Sequence, residues 1–163
     1  MKRYVVIVAG GKGSRMNAGI PKQFILLGGK PVLMHTILRF HEADPSTEII
    51  VALPGNEINA WKELCSRYSF TIVHKIAEGG DSRFQSVKNG LALVKEKSIV
   101  AIHDGARPFA SVALINRCFS SAEEFVNAVP SIPVNESLRE VKGKQNRTAD
   151  SNLYVVIQTP RWA

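Results

Sequence analysis

The feature that most constrains the fold is an apolar run that ends abruptly in a glycine-rich segment. The run extends from Tyr4 to Ala9 and is rich in β-branched residues. A short apolar run bounded by glycine predicts a strand that is buried in a parallel sheet. Gly10, Gly11 and Gly13 follow it directly, and they let the backbone turn sharply and bring its N–H groups close to a ligand. We therefore expect a parallel sheet with a ligand-binding loop at the end of its first strand.

Two positively charged side chains follow the glycines. Arg15 lies two residues beyond Gly13, and Lys22 follows Pro21. Neither a strand nor a turn requires these charges, and the plain alternative is a turn with two solvated cations. Because backbone N–H groups and cations together attract anions, we expect this segment to hold phosphate groups.

Three kinds of phosphate-binding loop are compatible with a strand followed by glycines. A Walker loop needs serine or threonine after its Gly-Lys pair, but the pairs at 11–12 and 29–30 are followed by glycine and proline. A dinucleotide-binding loop needs a third glycine where Met16 stands, and an acidic residue where Pro54 and Gly55 follow the second predicted strand. The pattern G-G-x-G-x-R-M…P-K of sugar-phosphate nucleotidyltransferases fits every position.

Strand and helix patterns alternate along the rest of the chain. We expect strands at 5–9, 49–53, 70–74, 99–102, 128–134 and 154–157, and helices at 31–41, 57–68, 82–94 and 112–125. Strands separated by helices predict right-handed crossovers, and hence an α/β fold with a mainly parallel sheet. Ligands bind at the carboxyl ends of the strands in such sheets. Since the Gly10 segment, the Gly79 segment and Asp104 all follow predicted strands, we expect them to line one crevice.

Charge and cysteine content narrow the partners and the compartment. The chain has 163 residues and a net charge of 21 − 14 = +7, which suits one domain that binds anions. Its lysine and arginine residues are spread along the chain, and few aromatic residues stand between them. We therefore expect small polyanions as ligands and no nucleic acid. Cys65 and Cys118 form no C-x-x-C pair and suit a reducing cytoplasm. No apolar run predicts a signal peptide or a membrane span, so we expect a cytoplasmic protein without a membrane partner.

Five motifs follow one another along the chain: Ala9-Gly-Gly-Lys-Gly-Ser-Arg-Met16, Pro21-Lys-Gln-Phe24, Gly79-Gly-Asp-Ser-Arg-Phe-Gln-Ser86, His103-Asp-Gly-Ala-Arg-Pro108 and Gln158-Thr-Pro160. In this order they resemble the motifs of the 2-C-methyl-D-erythritol 4-phosphate cytidylyltransferase family of isoprenoid biosynthesis. The resemblance implies a Rossmann-like three-layer nucleotidyltransferase fold, with CTP and a polyol phosphate as substrates. Two alternatives stay open: a ribitol 5-phosphate cytidylyltransferase, which shares most of the motifs, and a CTP-binding module without turnover.

The resemblance also implies roles for individual residues. Arg15 and Lys22 are expected to contact the phosphates and stabilise the transition state. Asp104 is either a ligand of Mg²⁺ or the partner of a nearby arginine, and the resemblance favours the metal. The residues expected to bind the nucleotide are Ala9, Gly10, Gly11, Gly13, Gly80, Asp81, Arg83, Ser86 and Ala106, and those expected to bind the acceptor are Arg107, Ser137, Ser151 and Thr159. We expect His103 to pack or to form a hydrogen bond, since no second histidine stands at ligand spacing.

The segment 135–152 is polar, lacks strong periodicity and is long for a loop. From the residues alone it is either a disordered excursion or a structured protrusion. The resemblance implies an arm that embraces a second subunit of a homodimer.

The chain departs from the family at two places. Ser151 stands where the family has an arginine that grips the acceptor phosphate, and Arg147 lies four residues earlier. After Gln158-Thr-Pro160 the family continues with a region that supplies a metal-binding carboxylate and a lysine, whereas this chain ends at Ala163. We therefore expect 1–163 to be a single nucleotidyltransferase domain without its C-terminal part, with an exposed apolar face.

Overall fold

The computed structural model of the protein describes residues 1–10 and 20–157. The predictions for Gly11, Gly13, Arg15 and Thr159 therefore lie outside the described residues. The helices are α1 (Val32–Ala43), α2 (Ile58–Arg67), α3 (Arg83–Leu91) and α4 (Val112–Phe125). The strands are β1 (Lys2–Val8), β2 (Leu26–Leu27), β3 (Lys30–Pro31), β4 (Glu48–Leu53), β5 (Lys75–Glu78), β6 (Ser98–Asp104), β7 (Ser131–Pro133), β8 (Leu138–Lys142), β9 (Gln145–Ala149) and β10 (Val155–Ile157).

A parallel sheet forms the centre of the described part of the chain. Its strand order is β5-β4-β1-β6, and every neighbouring pair in it is parallel. Strand β1 lies between two neighbours, and Val5, Val6 and Ile7 at its centre have no exposed surface. Since parallel strands all point the same way, their carboxyl ends meet at one edge of the sheet.

Helices cover both faces of this sheet. Because alternate residues of a strand point to opposite faces, Val5 and Ile7 join a core with residues of α1, α2 and α4, whereas Tyr4 and Val6 join a smaller core. Helix α3 packs on that second face and contacts β1 and β4. The prediction of an α/β fold with a mainly parallel sheet is confirmed.

The third strand was predicted in the wrong place. The apolar alternation at 70–74 does not form a strand, and β5 begins at Lys75 instead. Phe70 and His74 pack against the ring of Trp61, in helix α2, at centroid distances of 6.2 and 5.7 Å. The alternation at 70–74 therefore reflects packing beneath a helix rather than pairing in the sheet.

The segment after α4 forms two small antiparallel units. Strand β7 is shorter than the predicted strand at 128–134, and it pairs with β10 rather than with the parallel sheet. Within 135–152, strands β8 and β9 form a β-hairpin that turns at Gly143, where φ is +62°. Arg147 Nε donates to Glu140 Oε2 at 2.6 Å across this hairpin. The role of 135–152 in dimerisation stays a prediction.

Helix α3 approaches β1 closely at Gly90, and this contact yields a test of the fold. A Cβ atom at this position would lie 2.5 Å from Val6 Cγ1, and Val6 is held in the central strand. Alanine gains about 1 kcal/mol of helix propensity over glycine, but overpacking costs about 1–3 kcal/mol. The difference between these two terms is about 0–2 kcal/mol, so we expect Gly90→Ala to lower the free energy of unfolding by up to about 2 kcal/mol in urea titrations.

The matched control is Lys88→Ala, because Lys88 is exposed and lies on the same helix. This variant is expected to unfold within about 0.5 kcal/mol of the wild type. If Gly90→Ala were more stable than Lys88→Ala by the full helix-propensity gain of about 1 kcal/mol, the close packing of α3 on β1 would be contradicted.

Candidate active site

Backbone hydrogen bonds extend the pairing of the parallel strands to the first residue of each following loop. They are Ala9 N–H to Ala52 O at 2.9 Å, Gly79 N–H to Leu53 O at 2.7 Å, and Gly105 N–H to Val8 O at 2.7 Å. The loops after β1, β5 and β6 therefore begin at the same level of the sheet edge. The first residues of these segments share one edge of the sheet, and the crevice that they are predicted to line stays a prediction.

Small residues let these loops pack closely together. A Cβ atom on Gly105 would lie 2.8 Å from the Cβ of Ala9, so a larger residue at either position would force the loops apart. A Cβ atom on Gly10 would meet Pro54 Cδ at 3.7 Å and Ser86 Oγ at 3.9 Å. The end of β1 thus lies between the loop that follows β4 and the first turn of α3.

The segment from Gly79 to Ser86 is closed onto helix α3. Ser82 caps the helix, and its Oγ accepts from the backbone N–H of Gln85 at 3.1 Å. The hydroxyl of Ser86, which is 3% exposed, accepts from the N–H of Gly80 at 3.1 Å and donates to Ser82 O at 2.9 Å. Asp81 is exposed on this loop. In the free protein Ser86 therefore supports the loop, and its contact with a nucleotide stays a prediction.

Two arginines hold the carboxylate of Asp104, the last residue of β6. Arg83, the first residue of α3, donates from Nε and Nη2 to Oδ1 at 3.1 and 3.0 Å. Arg107 donates from Nε to Oδ2 at 2.7 Å. The sequence assigned Arg83 to the nucleotide and Arg107 to the acceptor, and the structure joins them through one carboxylate.

The electrostatics of Asp104 follow from these contacts. Burial raises the pKa of this carboxyl, but the hydrogen bonds from Arg107 and Arg83 outweigh burial, and the pKa lies below its ordinary value. Asp104 is therefore ionised near neutral pH and shares its charge with two guanidinium groups. This arrangement corresponds to the arginine-partner alternative for Asp104 in the free protein.

The carboxylate oxygens of Asp104 suit a metal ion whose other ligands come from a bound substrate and from water. Within residues 1–10 and 20–157, no group of three or more histidine, cysteine, aspartate or glutamate side chains is arranged to hold a metal ion. Mg²⁺, however, binds one or two carboxylates together with substrate phosphates and water. The carboxylate of Asp104 fits that pattern if phosphates also engage the arginines that now occupy its oxygens. Mg²⁺ at Asp104 stays a prediction.

Lys22 lies in a 3₁₀ turn, Lys22–Phe24, beside the same edge. The side chain of Lys22 is exposed, whereas Gln23 is 2% exposed. Gln23 Nε2 donates to Glu57 Oε2 at 2.5 Å, and Glu57 follows Pro54, which lies next to Gly10. Sequence reasoning missed Glu57, and the signal that pointed to it was the polar Gln23 inside the Pro21–Phe24 motif.

The residues predicted to bind the acceptor lie in two parts of the fold. Arg107 and the half-buried Ala106 follow β6 at the edge of the parallel sheet. Ser137 precedes β8, and Ser151 begins the 3₁₀ turn Ser151–Leu153 after β9. The acceptor roles of these residues stay predictions.

His103 is a half-buried residue next to Asp104, and both nitrogens of its ring are buried. Its ring contacts Phe40 edge-on at a centroid distance of 5.1 Å, and neither ring nitrogen has a hydrogen-bond partner among the described residues. Burial lowers the pKa of His103 to about 4, although the charge of Asp104 opposes this shift. His103 is therefore a neutral packing residue at physiological pH, which matches the packing interpretation of the sequence.

Comparisons with known proteins agree on one family. The model of the IspD family, 2-C-methyl-D-erythritol 4-phosphate cytidylyltransferase, matches residues 4–162. The chain is 45% identical over 161 residues to the cytidylyltransferase of this name from Bacteroides thetaiotaomicron, and 48% identical over 161 residues to that from Phocaeicola vulgatus. Each alignment covers 99% of this chain and 74% of the relative. The solved structure of the enzyme of the same name from Thermus thermophilus is similar with a TM-score of 0.71 and 30% identity, covering 98% of this chain and 69% of that chain.

Replacement of His103 tests its burial in the neutral form. As pH falls from about 6.5 to 4, histidine in the unfolded chain takes up a proton that the native His103 does not, so the wild type loses stability over this window. His103→Phe does not undergo this loss. The difference in the free energy of unfolding between the wild type and His103→Phe is therefore expected to change by on the order of 2–3 kcal/mol over this window. Urea unfolding at about pH 8 and about pH 4.5, without added metal or nucleotide, measures it.

The comparison at the higher pH serves as the control, because His103 is neutral there in both the native and the unfolded chain. Any difference in stability at that pH therefore reports packing alone. A stability difference between wild type and His103→Phe that does not change with pH would contradict the buried, neutral assignment.

Proposed function

Because the chain belongs to the 2-C-methyl-D-erythritol 4-phosphate cytidylyltransferase family, we propose that it transfers a cytidylyl group from CTP to 2-C-methyl-D-erythritol 4-phosphate. The products are the CDP-alcohol and pyrophosphate, in the non-mevalonate route to isoprenoids. The observation that carries this proposal is the family match over residues 4–162, which includes the segments at the edge of the parallel sheet. The relatives carry the methylerythritol name, which favours this acceptor over ribitol 5-phosphate.

The reaction needs positioning and charge stabilisation more than proton transfer. A phosphate oxygen of the acceptor attacks the α-phosphorus of CTP, a new P–O bond forms, and the bond to pyrophosphate breaks. The attacking oxygen is already an anion, so no strong general base is required. Preorganised cations that meet the charge developing on the α-phosphate supply most of the catalysis. Lys22 offers a point charge and Arg15 a planar fork for this purpose.

Asp104 and its arginines take part in binding the polyanionic substrates. Nucleotide and acceptor phosphates compete with Asp104 for Arg83 and Arg107, and each arginine that changes partner exposes a carboxylate oxygen. Mg²⁺ held by Asp104 and the phosphates would neutralise charge on the triphosphate and on the leaving pyrophosphate. The geometry of the free protein supports this exchange, since both oxygens of one carboxylate are already paired with cations.

We extend the proposal to a cytoplasmic homodimer. Support for the assembly comes from the β8–β9 hairpin and from β7 and β10, whose exposed apolar residues include Val141, Ile132, Val155 and Ile157. Support for the compartment comes from Cys65 and Cys118, which are free thiols of the kind that persists in a reducing environment. No helix within residues 1–10 and 20–157 is long and apolar enough to cross a membrane.

The activity itself is the first test of the proposal. We expect pyrophosphate release from CTP and 2-C-methyl-D-erythritol 4-phosphate with Mg²⁺, and selective binding of CTP over UTP, ATP and NAD in calorimetry. Removing one preorganised donor costs on the order of 10²–10³ in kcat, so Lys22→Ala and Arg15→Ala are each expected to lower kcat by that factor. A coupled pyrophosphate assay measures the rates.

Lys30→Ala is the control, because Lys30 is an exposed lysine close to Lys22 in the sequence and is expected to leave turnover within about twofold of the wild type. Near-normal turnover of Lys22→Ala would contradict its catalytic role. Faster turnover with ribitol 5-phosphate would identify that compound as the acceptor instead. CTP binding without pyrophosphate release would identify a CTP-binding module without turnover.

A further inference from the structure

The turn that carries Lys22 has little structure of its own. It is a single 3₁₀ turn, Lys22–Phe24, in which the N–H of Phe24 donates to Pro21 O at 2.8 Å and that of Ile25 to Lys22 O at 3.4 Å. A short 3₁₀ turn of this kind has poor hydrogen-bond geometry and is marginal in isolation. An ordered position for Lys22 therefore has to come from contacts outside the turn.

The first such contact joins Gln23 to Glu57. Gln23 is a polar residue that is only 2% exposed, and its Nε2 donates to Glu57 Oε2 at 2.5 Å. Burial raises the pKa of Glu57, and the hydrogen bond from Gln23 opposes this rise. Within residues 1–10 and 20–157, no neighbouring cation lowers the pKa of Glu57. Partly burying a carboxylate beside a neutral amide costs free energy, and the hydrogen bond from Gln23 offsets part of that cost.

The second contact joins Phe24 to Trp61. Their rings stack with centroids 6.0 Å apart and an interplanar angle of 6°. Trp61 is fully buried, and its Nε1 donates to His74 Nε2 at 3.0 Å. Because an indole nitrogen only donates, His74 accepts at Nε2 and donates from Nδ1 to Ile72 O at 2.8 Å. The tryptophan ring is thus held at both its face and its edge.

Both anchors lie at the start of one helix. Glu57 immediately precedes α2 and Trp61 lies four residues later, a spacing that places two side chains on the same face. They hold Gln23 and Phe24, the two residues that directly follow Lys22, whereas the Lys22 side chain is exposed. The loop after β4 and the start of α2 therefore form a rigid support beneath the turn.

We propose that Glu57 and Trp61 are positioning residues, which fix Lys22 at the phosphate site through Gln23 and Phe24. This inference rests on the proposed function for the role of Lys22, but the ordering of the turn is independent of it. The expected effect on the rate is large, because a displacement of a catalytic group by about 1 Å costs up to about a hundredfold in rate. The contact that links Glu57 to the turn is its hydrogen bond from Gln23, the residue that directly follows Lys22.

The test is a double-mutant cycle on the Gln23–Glu57 pair in the full chain. The variants are Glu57→Ala, Gln23→Ala and the double variant, with Glu57→Gln as the conservative replacement because its amide oxygen still accepts from Gln23. Glu63→Ala is the control, since Glu63 is exposed on the same helix. Hydrogen exchange of the Phe24 amide, kcat for pyrophosphate release and the Kd for CTP are measured for each.

We expect Glu57→Ala to raise the exchange rate of the Phe24 amide about tenfold and to lower kcat at least about tenfold, with a change in the Kd for CTP of less than about threefold. Exchange at Val51, in the core of β4, stays unchanged. The double variant is expected to match the single ones, because both remove the same contact. Glu57→Gln and Glu63→Ala are expected to behave like the wild type.

Unchanged exchange at Phe24 in Glu57→Ala would overturn the proposal whatever the activity. Faster exchange with unchanged kcat would overturn the link to Lys22, and additive effects in the double variant would show that Glu57 does not act through Gln23. If the wild type releases no pyrophosphate, the proposed function fails, and the exchange data decide separately whether Glu57 orders the turn.

Discussion

The pairing of β1 with a parallel strand on each side is the constraint on which the rest of the structure depends. Val8 pairs with Ala52 of β4 and with Asp104 of β6, so one residue sets the level of both neighbouring strand ends. Gly105 and Ala9 can then approach only because neither carries a large side chain. Every loop of the candidate site starts from this shared level, and a shift of β1 would separate them.

The second organising element is the charge balance at that edge. A net charge of +7 favours anionic ligands, yet free cations placed close together repel one another. Asp104 offsets this repulsion between Arg83 and Arg107 in the free protein, at a position where the carboxyl is partly buried and ionised. In the proposed function, polyanionic substrates would offer both arginines a new partner, and the site would bind phosphate without first assembling unpaired positive charge.

The pattern of apolar and polar residues along the sequence predicted most of the fold. It did not predict contacts between residues that are distant in the sequence. The helix predicted at 112–125 has the same bounds as α4, and the structure shows that Ser111 caps its first turn. The strand at 70–74 was wrong because an alternation packed under Trp61 has the same period as one in a sheet. The bonds from Arg83 to Asp104 and from Gln23 to Glu57 join separate elements, and no spacing along the chain encodes them. The site residues as a group stay predictions.

The carboxylates of Asp104 and Glu140 both accept hydrogen bonds from arginine. The free energy needed to break these contacts differs between the two sites. The carboxylate of Asp104 is 28% exposed and accepts from both of its arginines, whereas Arg147 and Glu140 are 79% and 47% exposed. An exposed pair of this kind contributes about 0.2–1 kcal/mol. Arg147 can therefore leave Glu140 for an acceptor phosphate at little cost. The resemblance places Ser151 at the position of the family arginine, and Ser151 carries no charge. If the proposed acceptor binds beside the hairpin, electrostatics therefore favours Arg147 over Ser151, and both acceptor roles stay predictions.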